Sequence, residues 1–346
     1  MTAVRFGIVG CGHAARTHLW ATLQCRDDVV ISDCFDARHD AAVRFQRLPM
    51  SWGHDASIQA HESLGGLLAS PIDGLIVATW PTTHADIIAH TLHAGIRYIL
   101  CEKPLAMNGD EVSKISQLAD RVGGVVIEAH QWLHHPFVNA LSDVRSPRHS
   151  IRAEFHVKLT KRPETELNWR FRPDLGGGVA LDDACYPIQA CNYFMDAAPR
   201  AVNAVGRWDG DVLVGLTGVI LYEQDYVGFI SASCDREFRQ ELHVICGDAA
   251  YSVESPFTPR PSVNIRRTSS QSIGRVTVDV EAADSDEQQD IDAYWKLPVY
   301  QTQLRHVANV IRGTAMPVLT LEQSLVNAKT LDAALRSIQS GRNEAI

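Results

Sequence analysis

The chain has 346 residues, 45% of them hydrophobic and 21% charged, with a formal net charge of -9. That length exceeds the size at which one hydrophobic core keeps growing, so two domains are expected, and the composition excludes a disordered or fibrous chain. The acidic balance, without a run of Lys and Arg, excludes the electrostatic footprint of a nucleic-acid binder. No apolar stretch approaches the roughly 20 residues of a membrane helix.

The first part of the chain alternates short apolar runs with amphipathic segments. Strands are predicted at 4–10, 29–35, 72–79, 96–102 and 124–129, with helices at 13–26, 38–47, 57–69, 82–94 and 108–121. Such alternation builds right-handed βαβ units, so the predicted class is α/β, opening with a Rossmann-type doubly wound parallel sheet. Beyond residue 130 the runs lengthen and alternate in polarity, at 151–159, 212–223, 226–235 and 241–248, as antiparallel strands with one covered face do. The stretch 255–297, rich in Pro, Ser and Asp, is predicted to be a strand pair with mobile connections. Helical patterns at 299–312 and 321–340 close the chain.

The expected organisation is a dinucleotide-binding domain over 1–125 and a substrate-binding and oligomerisation domain over 126–346, built on a large open, mainly antiparallel sheet. Packing of the C-terminal helix back on the first domain is allowed. One face of that sheet is left bare by this arrangement, so a homodimer or homotetramer joined through it is expected.

The opening MTAVRFGIVGCG lacks the basic start and small-residue cleavage site of a secretory signal, and the expected location is the cytoplasm. Eight cysteines, at 11, 25, 34, 101, 185, 191, 234 and 246, show no paired CxxC spacing. Neither a disulfide framework nor a zinc site is indicated.

Strand VRFGIVG runs straight into GCGHAA, giving Gly10, Gly12 and Ala15, with a helical segment after it. Gly10 permits the tight turn, Gly12 lets backbone approach a pyrophosphate, and Ala15 keeps helix close to sheet. The helix N-terminus then faces the phosphates with free N–H groups. Asp36, at the end of the next strand, is placed to accept hydrogen bonds from an adenosine ribose diol and to repel a 2′-phosphate, which favours NAD. Arg38, two residues on, has the reach to meet a 2′-phosphate, so NADP stays open as the cofactor.

At the end of the fifth predicted strand stands Glu102-Lys103-Pro104, where open α/β sheets bind ligands. The segments ATWPTTHAD (78–86), CEKPLAMN (101–108), EAHQWLHHP (128–136) and NWRFRPDLGGGVALDDACYP (168–187) follow the glycine loop in order. Together they resemble the glucose-fructose oxidoreductase, inositol dehydrogenase and rhizopine-catabolism (Gfo/Idh/MocA) family, over about residues 4 to 340. The likeness is to the branch of glucose-fructose oxidoreductase, xylose dehydrogenase and dihydrodiol dehydrogenase, which carries tyrosine where inositol dehydrogenases carry histidine.

The resemblance implies that Lys103 lies beside the nicotinamide and the substrate hydroxyl, with Pro104 after a cis peptide. Asp182 matches the aspartate that opens the family motif, and Tyr186 the proton donor or acceptor. The cofactor set it implies is Gly10, Gly12, His13, Ala14, Ala15, Asp36, Arg38, Thr79, Trp80, His84, Glu102, Lys103 and Pro104. The chain departs from the branch at His130, Gln131 and Leu133, where an aromatic, a methionine and an arginine are commoner, and at Asp183 and Ala184.

Moving hydride from a carbinol carbon leaves a hydroxyl proton to dispose of. A phenol does this once a cation lowers its ordinary pKa near 10, which gives Tyr186 the acid/base role, Lys103 the tuning role and Asp182 an orienting one. His130 and Gln131 are expected to suit a hydroxyl-rich ligand, the alternative being that His130, His134 and His135 are surface or core histidines. Trp169 and Arg170 are expected to cover a sugar and its anionic group, the alternative being an anchoring aromatic with solvated arginines. No metal is expected, since nicotinamide chemistry needs none. The expected function is a NAD(P)-dependent oxidoreductase acting on a sugar, cyclitol or nucleotide-activated sugar. The alternatives are a dihydrodiol or imine oxidoreductase, and a dinucleotide-binding sensor without turnover.

Overall fold

Strand β1 (Val4–Val9) is buried at five of its six positions, as a strand covered on both faces must be. The computed structural model describes residues 2–144, 147–159, 168–269, 272–279 and 298–346. The chain divides into two units, the first taking in the described parts of Met1–Leu105, Ser113–His134 and Ala282–Leu321, and the second those of Ala106–Val112, His135–Glu281 and Glu322–Ile346.

In the first unit β1 is joined by β2 (Val29–Phe35), β3 (Gln59–Ala60), β4 (Gly74–Val77), β5 (Tyr98–Glu102) and β6 (Val125–Ala129) in the order β3-β2-β1-β4-β5-β6. Every pairing is parallel. The order reverses between β1 and β4, which opens a crevice at their carboxyl ends. Helices α1 (His13–Leu23), α2 (His39–Gln46), α3 (Leu48–Ser51), α4 (Leu64–Leu68), α5 (Pro81–His93) and α6 (Gly109–Val122) connect the strands. Phe6, Ile8 and Ile31 of the sheet pack with Ala15 and Leu19 of α1. The late helix Pro298–Ile311 adds Leu304, Val307 and Ala308 to the same core.

The helix expected over 57–69 is corrected. Gln59 and Ala60 extend the sheet by pairing with Asp33 and Cys34, and the helix shrinks to Leu64–Leu68. Ser63 starts that helix late by accepting the Gly66 N–H, and Gly65 and Gly66 are poor helix formers.

The second unit holds β7 (Arg148–Lys158), β8 (Pro199–Asp209), β9 (Val212–Tyr222), β10 (Val227–Ser233), β11 (Asp235–Cys246), β12 (Ala249–Glu254), β13 (Ser262–Ser269), β14 (Ile273–Asp279) and β15 (Glu344–Ala345). Among the described residues they form one nine-stranded sheet in the order β14-β13-β12-β11-β7-β10-β9-β8-β15. The β7/β10 pair is parallel; the others are antiparallel. β13 and β14 supply the strand pair expected within 255–297, and 280–297 lies outside the described residues.

Helices α7 (Pro136–Ser142) and α8 (Cys185–Phe194) belong to this unit. So does the helix Leu321–Ser340 from Glu322 onward. It is tied in by Asn192, whose amide donates to Asn327 and Thr330, and by the Ala204 N–H on Ser337. One face of the sheet buries Ile151, Ala153 and Phe155. The other carries Arg152, Glu154 and His156, with Val205 at 67% and Phe229 at 42% exposure. Among the described residues, no helix is long and apolar enough to cross a membrane. All eight cysteines are free thiols and buried.

Candidate active site

Gly10 adopts φ +87, and a Cβ there would lie 2.5 Å from the Ala78 carbonyl oxygen, so no other residue fits. Gly12 caps α1 without a side-chain hydrogen bond, and among the described residues a Cβ on it would meet nothing within 4 Å. The N-terminus of α1 therefore has no side-chain cap and an open approach at Gly12, while Ala15 is fully buried against the sheet. Asp36 accepts from the Cys11 N–H and the Arg38 N–H, both at 2.9 Å, and so ties the glycine loop to the end of β2. Beside it lies a cavity of ≈ 190 Å³ bordered by Gly12, His13, Arg16, Arg38 and Arg44.

The turn Glu102–Pro104, with its cis Lys103–Pro104 bond, is held from three sides. Glu128, at the end of β6, accepts the Leu105 N–H at 3.0 Å. His18, on the buried side of α1, faces Glu102 Oε1 with Nε2 at 2.8 Å. His84, in the first turns of α5, puts Nδ1 2.9 Å from the Pro104 carbonyl oxygen and Nε2 3.2 Å from that of Thr79. Burial pushes His84 below the usual imidazole range, against the pull of those carbonyls and of Glu102 and Glu128. A neutral ring donates once, and donation from Nδ1 fits the shorter contact. Burial alone would push Glu102 up, but the His18 hydrogen bond and the charges of His18, Lys103 and His84 prevail and hold its carboxyl below the ordinary value.

In the second unit the glycine run shapes the loop before α8. Gly176 and Gly178 have φ of +81 and +105, and a Cβ on Gly177 would meet the Trp169 carbonyl oxygen at 2.2 Å. The loop thereby folds Arg170 onto Asp182, Nε to Oδ2 at 2.5 Å, with the guanidinium carbon 5.1 Å from the centre of the Trp169 ring. Asp182 and Asp183 are buried in a π-helical turn, Ala180–Ala184, that leads into α8. Burial, then the charges of Asp183, Asp235 and Asp182, push the nearby Cys234 thiol up to about 12. One residue into α8, Tyr186 stacks on Phe155 at 5.0 Å and leans on Phe257 at 5.4 Å.

Residues 4–130 match the family model described as "Oxidoreductase family, NAD-binding Rossmann fold", and residues 148–252 match the GFO/IDH/MocA C-terminal domain. The chain belongs to the GFO/IDH/MocA oxidoreductase family. A D-xylose 1-dehydrogenase (NADP(+)) of Haloferax volcanii is 22% identical over 343 residues, 97% of this chain and 98% of that protein. A dTDP-3,4-didehydro-2,6-dideoxy-alpha-D-glucose 3-reductase of Actinomadura kijaniata is 26% identical over 272 residues, 76% of this chain and 80% of that protein. Among solved structures, a 3-ketoreductase from Actinomadura kijaniata in complex with NADP and TDP-benzene superposes with a TM-score of 0.81 at 22% identity. The match covers 97% of this chain and 98% of that one.

This GFO/IDH/MocA oxidoreductase gathers most of its expected residues within one unit or the other. Gly10, Gly12, His13, Asp36 and Arg38 sit together at the dinucleotide loop. Thr79 and His84 sit with Glu102, Lys103 and Pro104, and Trp169 and Arg170 with Asp182. Lys103 belongs to the first unit, Asp182 and Tyr186 to the second. His84, expected at the cofactor, is fully buried, and both of its ring nitrogens face backbone carbonyls. Both residues expected to meet a hydroxyl-rich ligand, His130 and Gln131, are buried, and His130 Nε2 lies 3.4 Å from the Glu128 carboxylate.

The three histidines of EAHQWLHHP are dispersed, His134 against His306 and His135 against the Arg260 carbonyl. Among the described residues no group of three His, Cys, Asp or Glu is placed to hold a metal ion. Sequence reasoning missed His18, Glu128, Arg16 and Arg44. The arginines had a readable signal, since each lies within a helix that starts beside the glycine loop or Arg38; the two buried residues had none.

Proposed function

We propose that this oxidoreductase transfers hydride between a nicotinamide dinucleotide and a carbinol or keto carbon of a sugar or nucleotide-activated sugar. Tyr186 is the general acid/base and Lys103 hydrogen-bonds the reacting oxygen. The observation that carries the reading is the turn Glu102–Pro104, held at the carboxyl end of β5 by Glu128, His18 and His84. Preorganised donors at that end of an open parallel sheet meet ligands. The names of the xylose dehydrogenase and the dTDP-sugar reductase support a sugar as the substrate class.

The dinucleotide supplies or accepts the hydride when bound. Gly10 to Ala15 fit its pyrophosphate, because Gly12 offers open space and α1 an uncapped N-terminus. At the adenosine end the two Asp36 oxygens already accept backbone N–H groups, while Arg16, Arg38 and Arg44 border one cavity. The arginines support NADP as a cofactor alongside the NAD that Asp36 favours. The proton of the substrate hydroxyl passes to or from the Tyr186 phenol. Asp182, fixed by Arg170, orients the substrate, and Trp169 offers an aromatic face for stacking on a sugar ring.

A second copy of the chain is proposed to cover the open sheet face, where Val205 and Phe229 stand exposed beside the buried Glu154 and its partners Arg152 and Arg239. Sedimentation as a stable monomer at micromolar concentration would contradict it.

Aldoses, cyclitols and dTDP- or UDP-linked sugars incubated with each dinucleotide, and followed by nicotinamide absorbance, test the activity. With cofactor binding measured separately, Lys103→Met and Tyr186→Phe are expected to lose roughly 100-fold or more in turnover. Near-normal rates in both would sink the mechanism. Dinucleotide binding without turnover of any substrate would favour a sensor, and turnover of a dihydrodiol or an imine alone would move the chain to that chemistry.

A further inference from the structure

Lys103 does not stand alone at the end of β5. Its neighbour Glu102 carries a carboxylate that is mostly shielded, and one oxygen of it, Oε1, faces His18 Nε2 at 2.8 Å. His18 itself is fully buried on α1, with the Tyr300 ring edge-on at 6.0 Å. Among the described residues its other ring nitrogen, Nδ1, has no hydrogen-bond partner. A buried lone pair without a donor is far less costly than a buried N–H without an acceptor, so the tautomer this geometry supports donates from Nε2 to Glu102. His18 therefore has a single polar task. A fully buried imidazole with one polar contact, aimed at the carboxylate beside Lys103, is more than packing requires.

We propose that His18 is a positioning residue: its hydrogen bond fixes the Glu102 carboxylate, and that fixed negative charge sets the proton-holding of the Lys103 amine. The inference rests on the functional reading only in giving Lys103 its role. The groups whose charge bears on Glu102 are His18 from α1, His84 from α5 and Lys103 itself. Of these His18 makes the hydrogen bond, and without it burial would push the carboxyl toward its neutral form. A neutral or displaced Glu102 would no longer stabilise an ammonium next to it, and the amine of Lys103 would be unprotonated more of the time.

The test reads Lys103 directly and needs no substrate. The partly exposed Lys103 is acetylated with a trace of acetic anhydride at fixed pH, and its labelling rate is followed by peptide mass spectrometry in the full-length protein. The variants are His18→Leu, His18→Gln and Glu102→Gln. Circular dichroism and thermal melting check the fold of each. His18→Leu and Glu102→Gln are expected to raise the Lys103 rate by the same factor, at least about threefold, as loss of a nearby opposite charge implies. His18→Gln, which keeps an N–H donor, is expected to restore the wild-type rate.

If His18→Leu does not fold, His18→Asn, whose amide stops short of Glu102, takes its place. An unchanged rate in folded His18→Leu or in Glu102→Gln overturns the proposal, and so does a His18→Gln rate equal to that of His18→Leu. Turnover of a Lys103 variant belongs to the functional reading alone, so the two fail separately.

Discussion

Arg170 Nε donates to Asp182 Oδ2 at 2.5 Å, joining the loop shaped by three glycines to the π-helical turn before Tyr186. Asp182 is almost fully buried, whereas Arg170 is about one-third exposed. Truncating the arginine leaves a buried carboxylate with one donor fewer, a loss of about 1–3 kcal/mol in general. Arg170→Ala is expected to lower the urea midpoint measured by tryptophan fluorescence. Arg170→Lys is expected to recover only part of it, since an ammonium cannot both reach the carboxylate and lie over Trp169.

Two glycines of one loop are expected to respond in opposite ways to alanine. Gly10→Ala drives a Cβ into the Ala78 carbonyl at a left-handed φ, so the protein should lose several degrees of melting temperature. Gly12→Ala meets nothing within 4 Å and should melt within a degree or two of the wild type. Its cofactor affinity, followed by NADPH fluorescence titration, should fall about tenfold, or 1.4 kcal/mol, because the methyl occupies the approach to α1.

Charge removal at the adenosine end should separate the cofactors. Arg16→Gln with Arg44→Gln is expected to weaken NADPH binding about tenfold and leave NADH binding nearly unchanged. The difference should shrink as salt rises. Equal losses for both cofactors would remove the arginines from 2′-phosphate recognition.

The pH dependence of stability follows from two histidines held neutral. Burial and the neighbouring His306 bring His134 down to about 3, and burial brings His84 down as well. With the folded value depressed, the unfolded chain binds the proton first. Stability is then present above pH 6.5 and declines as the pH falls toward the folded value, by at most about 1.4 kcal/mol per pH unit for each group. Denaturation series from pH 7.5 to 5 should show this decline, and His134→Asn should make it shallower.

The parallel strands were legible because strands buried on both faces read as unbroken apolar runs. β3 was not, because two residues carry no period, and β8 was not, because it opens on Pro199 and its outer half, through Arg207 and Asp209, is solvated. The glycine loop and the Glu102-Lys103-Pro104 triplet announce themselves locally. His18 does not: its partner lies 84 residues away, and only the sheet brings them together. The π-helical turn at Asp182 and Asp183 is likewise invisible to a pattern built on 3.6 residues per turn.

The first unit's core contains Leu304, Val307 and Ala308, which follow β6 only after the whole nine-stranded sheet but its last strand has been traversed. During synthesis, α1 and its sheet emerge long before the helix that covers them. The N-terminal half must therefore wait with apolar surface uncovered, a state open to chaperone binding or aggregation. A fragment ending near residue 130 would keep the glycine loop and the Lys103 turn yet lack that covering helix, and should express as a poorly soluble, loosely packed species.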